Sequence, residues 1–168
     1  IVVGKKVEDL NTLPMPAWNH LIYRNYNWSS DWDTGYPLFT LNTSRGCPFS
    51  CTFCSVKGVW GPKYRYMDAE KIIQQLEIMR KYYGIQAAYF REDHFTLNQK
   101  RTVEFCESLL KKNFNINWLC ETRADSIEQP GVLELMAASG CKAVYIGVES
   151  GSQRMLDKLK KHETVSQF

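Results

Sequence analysis

The sequence lacks both a strong excess of one charge and a long uninterrupted apolar stretch. Basic residues exceed acidic residues by only three, and 23% of all residues are charged. The densest basic run is Lys158, Lys160, Lys161 and His162, a pattern typical of the solvated end of a helix. No apolar stretch approaches the ~20 residues that a membrane span requires. We therefore expect neither a membrane span nor a nucleic-acid partner.

The sequence also lacks the spread cysteines of a disulfide-stapled secreted domain. Three of its six cysteines, Cys47, Cys51 and Cys54, crowd together, and the others stand singly in apolar segments. The first residues do not show the charged start and apolar core of a secretory signal peptide. This cysteine usage is typical of a reducing compartment, so the sequence predicts a cytoplasmic protein with a metal site.

Two regions of the chain differ in pattern. Residues 1–37 contain three prolines among irregular polar and aromatic residues, which predicts a lead-in or linker with one short helix near 17–23. Residues 38–168 alternate strand and helix patterns four times. Strands are predicted at 38–43, 86–91, 116–121 and 143–148, and helices at 68–83, 98–112, 130–139 and 152–161. This alternation predicts an α/β domain with a parallel sheet, whose apolar fourth strand should be buried on both faces.

The cysteine cluster directly follows the first predicted strand, and its spacing is C-x3-C-x2-C. In parallel α/β folds the chemistry lies beyond the carboxyl ends of the strands. Three thiolates leave one position of a four-ligand metal site open to a substrate or cofactor. The alternative is a zinc or iron–sulfur module with a structural or electron-transfer role, in which His94 or Cys120 would complete a zinc site.

Four ordered segments carry a resemblance to a known family. They read TSRGCP at 43–48, FREDHFT at 90–96, WLCETRAD at 118–125 and YIGVESGS at 145–152. Together with the aromatic residue before the third cysteine, they resemble the radical S-adenosylmethionine (SAM) superfamily over residues 38–161. The resemblance is closest to the branch that often carries a cobalamin-binding domain, and LPMPAW at 13–18 resembles the linker that follows that domain.

The resemblance implies a parallel-stranded partial (β/α) barrel of six βα units, of which this sequence contains about four. We therefore expect residues 38–168 to be a truncated radical SAM core of a longer enzyme. Cys47, Cys51 and Cys54 would bind a [4Fe–4S] cluster whose fourth iron binds SAM. One electron from a donor such as flavodoxin or ferredoxin would cleave SAM to a 5′-deoxyadenosyl radical, which abstracts hydrogen from an unknown substrate. Methyl transfer or cyclisation, with cobalamin held by a domain absent here, is the implied outcome.

The resemblance further implies cofactor-binding residues at the strand ends. They are Phe53, Glu92, Asp93, Glu121, Arg123, Glu149 and Ser150. An aromatic face suits the adenine ring, so Phe53 is expected beside it. Glu149 and Ser150 follow the fourth strand, where the family holds the ribose hydroxyls.

The charged residues after the second and third strands have two readings each. Glu92 and Asp93 are expected near the SAM ammonium group, but they could instead cap the helical region that follows. Arg123 could bind the SAM carboxylate as a planar fork. It could equally form a structural ion pair with Glu121 or Asp125.

Overall fold

A computed structural model describes residues 4–20 and 37–168 and contains a four-stranded parallel sheet. The strands are β1 (Leu38–Leu41), β2 (Ser44–Arg45), β3 (Arg65–Tyr66), β4 (Ala87–Phe90), β5 (Asn117–Thr122) and β6 (Cys141–Ile146). The α-helices are α1 (Val56–Val59), α2 (Ala69–Tyr83), α3 (Gln99–Lys111), α4 (Val132–Ala138) and α5 (Gln153–Lys158). Short 3-10 turns lie at Leu10–Thr12, Trp18–His20, Phe95–Leu97, Ala124–Ser126 and Val165–Gln167.

The sheet has the order β1-β4-β5-β6, and every neighbouring pair is parallel. Parallel neighbours need a crossover connection, and α2, α3 and α4 lie in the three connections between these strands. β2 and β3 form a separate antiparallel pair inside the first connection. The predicted α/β fold, a partial (β/α) barrel with about four strand–helix units, is confirmed. The carboxyl ends of the four strands consequently meet at one edge of the sheet.

The helix-facing side of the sheet is packed with aromatic rings. Phe90, Phe95, Phe105 and Trp118 are fully buried. The Phe90 and Phe105 rings meet edge to face at 5.3 Å, and those of Phe105 and Trp118 at 5.5 Å. The opposite face carries a smaller cluster built on Leu38, Ala87 and Leu119. The main core therefore lies between the sheet and its helices, and its packing fixes the positions of the strands.

The burial of β6 differs from the expectation. The sequence predicts a strand buried on both faces, and this is wrong, because none of the six residues of β6 is fully buried. Among the described residues β6 pairs only with β5, so its other edge is uncovered. Val148, which the sequence pattern places in this strand, lies beyond its end and is 42% exposed.

Part of the predicted lead-in packs onto the sheet domain. Leu10 is fully buried, and Val7, Leu13, Met15 and Trp18 pack against the main core. Of the short helix predicted near 17–23, only the turn at Trp18–His20 falls on described residues. The boundary between residues 37 and 38 stays a prediction.

The longest described helix, α2, has 15 residues. Within 4–20 and 37–168, no helix combines the length and the apolar character that a membrane crossing requires.

Replacing Phe105 with alanine should lower the free energy of unfolding by about 3–5 kcal/mol, because it empties the centre of the aromatic cluster. Leu110→Ala is the matched control on the same helix. Leu110 is 42% exposed, so its truncation should cost less than about 1 kcal/mol. Urea unfolding followed by circular dichroism measures both values, and equal losses would contradict this account of the core.

Candidate functional site

The three clustered cysteines lie on a loop that begins after β2. Gly46, directly before Cys47, has φ +90°, and a Cβ there would overlap the carbonyl oxygen of Lys63. This turn therefore requires glycine. The Cys47 amide donates to the Gly61 carbonyl over 3.4 Å. The cysteine loop is thus held against the segment that leads into β3.

A cleft of about 470 Å³ lies at the carboxyl ends of the strands, and all three cysteines line it. The other expected site residues that line the cleft are Phe53, Asp93, Glu121, Arg123 and Glu149. Two expected residues, Glu92 and Ser150, do not. The Ser150 hydroxyl instead accepts a hydrogen bond from the Ser152 amide, at 3.1 Å.

The cysteine thiols differ in exposure and influence one another. Cys47 and Cys51 are half-buried, and Cys54 is exposed. Burial raises the pKa of the Cys47 thiol, and the nearby Cys54, Asp93 and Cys51 raise that pKa further. A cationic metal centre would have the opposite effect, because it stabilises the thiolates that bind it.

Glu92 lies in a buried network beneath the cysteine loop rather than in the cleft. Its side chain is fully buried and accepts hydrogen bonds from the Thr43 amide at 3.0 Å and from the Thr43 and Ser44 hydroxyls. Arg101, also buried, lies 3.6 Å from the Glu92 carboxylate and donates to the Thr43 hydroxyl at 2.9 Å. The Glu92 carboxylate therefore binds the turn between β1 and the cysteine loop.

Arg101 extends this network to Tyr64. Its second terminal nitrogen donates to the Tyr64 hydroxyl at 3.0 Å, and burial raises the pKa of Tyr64 to about 12. The network thus joins α3 to the residues that follow β1 and β4 and to the residue that precedes β3.

Arg123 lines the cleft but already has an acidic partner. Its guanidinium donates to both Asp125 carboxylate oxygens, the shortest distance being 2.7 Å. Glu163 lies 3.6 Å away, and the ring of Phe49 lies 3.8 Å below the guanidinium carbon. Nη1 is buried and has no hydrogen-bond partner among the described residues. The ion pair with Asp125 is therefore present, and one terminal nitrogen of the guanidinium is left without a hydrogen-bond partner in the part of the chain that the structure describes.

Residues 41–168 match the Radical SAM superfamily. The chain belongs to this superfamily. Membership implies a [4Fe–4S] cluster and SAM as cofactors. It also agrees with the position of the cysteine loop at the carboxyl ends of the parallel strands.

Two relatives are similar to nearly the whole of this chain. It is 32% identical to an uncharacterized methyltransferase of Pyrococcus horikoshii, over 96% of this chain and 34% of that protein. It is 30% identical to an anaerobic magnesium-protoporphyrin IX monomethyl ester cyclase of Rubrivivax gelatinosus, over 96% of this chain and 28% of that protein.

A solved structure agrees with the fold. The cobalamin-dependent S-adenosylmethionine radical enzyme OxsB, with aqua-cobalamin and S-adenosylmethionine bound, matches with a TM-score of 0.67 and 31% identity, over 76% of this chain and 20% of its own. The chain thus spans about a third or less of the length of the relatives it matches.

The donor set of this radical SAM chain fits a cluster with one open iron. Three thiols line one cleft, while the remaining cysteines, Cys106, Cys120 and Cys141, belong to the core side of the sheet. Thiolates are the usual ligands of iron–sulfur clusters, and a cubane has four irons to bind. No three His, Cys, Asp or Glu side chains within 4–20 and 37–168 are grouped closely enough to hold a single metal ion.

Lys161 is a cleft residue that sequence reasoning missed. The basic run suggested a solvated helix end, but α5 ends at Lys158 and the chain then turns back. Lys160 and His162 adopt left-handed backbone angles, with φ of +53° and +56°. The Lys161 side chain between them is 7% exposed, lies 3.3 Å from Glu163 and lines the cleft. The order of basic residues in this run does not indicate that the chain reverses direction after α5.

Two tyrosines in the cleft were also missed. The Tyr89 hydroxyl donates to Glu121 at 2.7 Å, and the Tyr89 and Tyr145 rings lie 5.5 Å apart. Burial raises the pKa of Tyr89, and the hydrogen bond to Glu121 raises it further. The two-residue period of a strand places Tyr89 on the face of β4 opposite Phe90, but β4 reads AAYF, and nothing in that composition marks which face lines the cleft.

His94 is buried beside the cysteine loop. It is 1% exposed, its ring lies 5.9 Å from that of Phe49, and neither ring nitrogen has a hydrogen-bond partner among the described residues. Burial lowers the pKa of His94 to about 4, and the nearby Arg123 and Lys161 charges lower it further. The imidazole is therefore neutral at neutral pH.

A larger cavity, about 680 Å³, lies at the amino-terminal ends of the strands. It is lined by residues such as Arg80, Asn113 and Gly140 and contains no cysteine, histidine or carboxylate. In (β/α) barrels this end of the strands serves stability, and the active site lies at the carboxyl ends. The smaller cleft is therefore the candidate site.

Glu92→Gln should lower the free energy of unfolding by about 3–5 kcal/mol, because it leaves the Arg101 charge buried and unpaired. Glu77→Gln is the control, since Glu77 pairs with Lys112 at an exposed site where a salt bridge contributes less than about 1 kcal/mol. Adding Arg101→Met to Glu92→Gln should cost less than the sum of the single losses. Urea unfolding of all variants decides this, and an additive result would contradict the network.

Acid should destabilise the fold through His94. The unfolded chain's histidine titrates near 6.5 and the folded one near 4, so the unfolded state binds more protons between these values. The contribution of neutral His94 to the free energy of unfolding is fully present above about pH 6.5. It falls by on the order of 2–3 kcal/mol as the pH drops to 4. Urea unfolding between pH 7.5 and 5 should show this loss in the unaltered protein and in His20→Gln, but not in His94→Leu. A slope unchanged in His94→Leu would contradict it.

Proposed function

We propose that this chain is the cofactor-binding core of a radical SAM enzyme that binds a [4Fe–4S] cluster through Cys47, Cys51 and Cys54 and cleaves SAM reductively. The observation that carries the proposal is the cleft of about 470 Å³ lined by three thiols together with strand-end carboxylates and an arginine. When bound, the cluster supplies the electron for SAM cleavage through its iron that has no cysteine ligand.

The chain's own residues would bind and orient SAM. Phe53 is 50% exposed at the cleft wall, so its ring is available to stack on adenine. The guanidinium of Arg123 and the ammonium of Lys161, both at the cleft wall, would provide the positive charge that the SAM carboxylate requires. Asp93 and Glu149 provide acceptors for the SAM ammonium and ribose hydroxyls.

Glu92 would act from behind the cleft. Its hydrogen bonds to Thr43 and Ser44 fix the start of the cysteine loop, so its contribution to SAM binding would be indirect.

Glu121 and Tyr89 would face the reacting end of the cleft. Their hydrogen bond fixes the carboxylate beside the aromatic pair of Tyr89 and Tyr145. The apolar rings would exclude water from the site, which protects a reactive radical from side reactions.

The whole enzyme would carry out methyl transfer or cyclisation on a small-molecule substrate in the cytoplasm, with cobalamin bound outside this chain. The support is the two relatives described above, a methyltransferase and a cyclase, and OxsB, whose structure has aqua-cobalamin bound. A low-potential electron donor would reduce the cluster.

Anaerobic reconstitution should load about four iron and four sulfide per chain, and added SAM should yield 5′-deoxyadenosine under reduction. Cys51→Ala should lose most of the cluster and all SAM cleavage, because it removes one of three iron ligands. Cys141→Ala is the control, since this half-buried thiol does not line the cleft. Iron and sulfide assays with chromatography of 5′-deoxyadenosine measure these outcomes.

Zinc near one per chain without sulfide would contradict the proposal and favour a structural metal module. Equal iron contents in Cys51→Ala and Cys141→Ala would contradict the assignment of the cysteine ligands.

A further inference from the structure

The basic run at the end of α5 lies directly against the cysteine loop. The Thr52 amide, between Cys51 and Phe53, donates to the Leu159 carbonyl over 2.9 Å. Leu159 is flanked by Lys158 and Lys160, both exposed. One hydrogen bond therefore fixes two surface lysines beside the loop that holds the candidate cluster ligands.

The cysteine loop also borders an opening next to α1. A second, smaller cavity of about 110 Å³ touches Cys47, Cys51 and Cys54 and includes none of the strand-end residues. Lys57, exposed on α1, contributes to its lining. This opening shares five lining residues with the larger cleft, the three cysteines among them, so a partner here would lie beside the thiol end of that cleft.

The surface around this opening is basic. We call Lys57, Lys158 and Lys160 the basic rim. In the part of the chain that the structure describes, no ion pair neutralises any of the three. Residues 50–60 contain no acidic residue, and in 152–162 the only one is Asp157, which accepts a hydrogen bond from Gln153. The positive charge is therefore local, since the chain as a whole carries only +3.

Exposed groups near the opening also suit contact with a protein. Cys54 is exposed, Val59 is 60% exposed, and Met155 on α5 is 39% exposed. A few apolar side chains within a charged rim are typical of small, transient docking surfaces.

We propose that the basic rim docks an acidic one-electron carrier protein, which reduces the cluster through the cysteine loop; this inference rests on the proposed function. The electron balance is simple. The reduced carrier loses one electron, the cluster gains it, and no bond is made or broken in this step. Complementary charge accelerates such an encounter, and salt weakens the acceleration.

The test measures the rate at which reduced flavodoxin, an acidic carrier, reduces the cluster-loaded protein under anaerobic stopped flow. Lys158→Glu with Lys160→Glu should lower the second-order rate about tenfold at low ionic strength. The deficit should shrink in ~1 M salt, where the screening length falls to ~3 Å. Lys57→Glu, on a separate helix, should lower the rate in the same direction.

The control variant is Lys111→Glu with Lys142→Glu, which changes the net charge equally. Lys111 ends α3 and Lys142 lies at the start of β6, both at the opposite end of the strands. This variant should react with flavodoxin like the unaltered protein. Photoreduced 5-deazaflavin, a small uncharged reductant, should reduce all variants at the same rate.

Two outcomes would overturn the proposal separately. If flavodoxin reduces the rim and control variants at equal rates, and deazaflavin reduces both normally, the docking proposal is contradicted. The proposed function would be unaffected by that result. Failure of the unaltered protein to hold a cluster that deazaflavin can reduce would overturn the proposed function, and this inference with it.

Discussion

The buried ion pair between Glu92 and Arg101 is the constraint on which the geometry of the site depends. Glu92 follows β4, Arg101 lies in the first turn of α3, and together they hold Thr43 and Ser44, where the chain passes from β1 to β2. An isolated charge would not be stable at this depth, so each group requires the other. The chain must therefore leave the sheet in one direction, which places the cysteine loop over the strand ends.

A second set of charges fastens the loop from the other side. Arg123 pairs with Asp125, and Glu163 lies between Arg123 and Lys161 while accepting from the Asp125 amide. The segment that follows α5 also contacts the loop, because the Leu159 carbonyl accepts a hydrogen bond from the Thr52 amide. Residues far apart in the sequence thus bring two cations to the cleft wall with their counter-ions behind them. A carboxylate ligand would meet donors that are already positioned, which reduces the cost of binding.

Much of the fold could be predicted from sequence because its signals are local. Apolar periodicity and the four strand–helix repeats specify a parallel sheet, and the cysteine spacing with the strand-end segments indicates the family. The partners of individual side chains could not be predicted, because they depend on packing between distant segments. Glu92 and Asp93 are neighbours in sequence, yet one is buried in a network and the other lines the cleft. In sequence, Lys161 resembles a surface residue. In the structure it lies inward, because Lys160 and His162 on either side adopt left-handed backbone angles. The apolar β6 suggested full burial, but burial also depends on whether a neighbouring strand covers it.

The central claim is that three cysteines hold a cluster whose remaining iron binds SAM. Electron–nuclear double resonance on the reduced, cluster-loaded protein tests it most directly, with SAM labelled with ¹⁵N at its methionyl amino group. The account predicts a ¹⁵N coupling to the cluster that is present with labelled SAM and absent with unlabelled SAM. A normal cluster signal with no ¹⁵N coupling would contradict it, because SAM would then not be bound to the open iron.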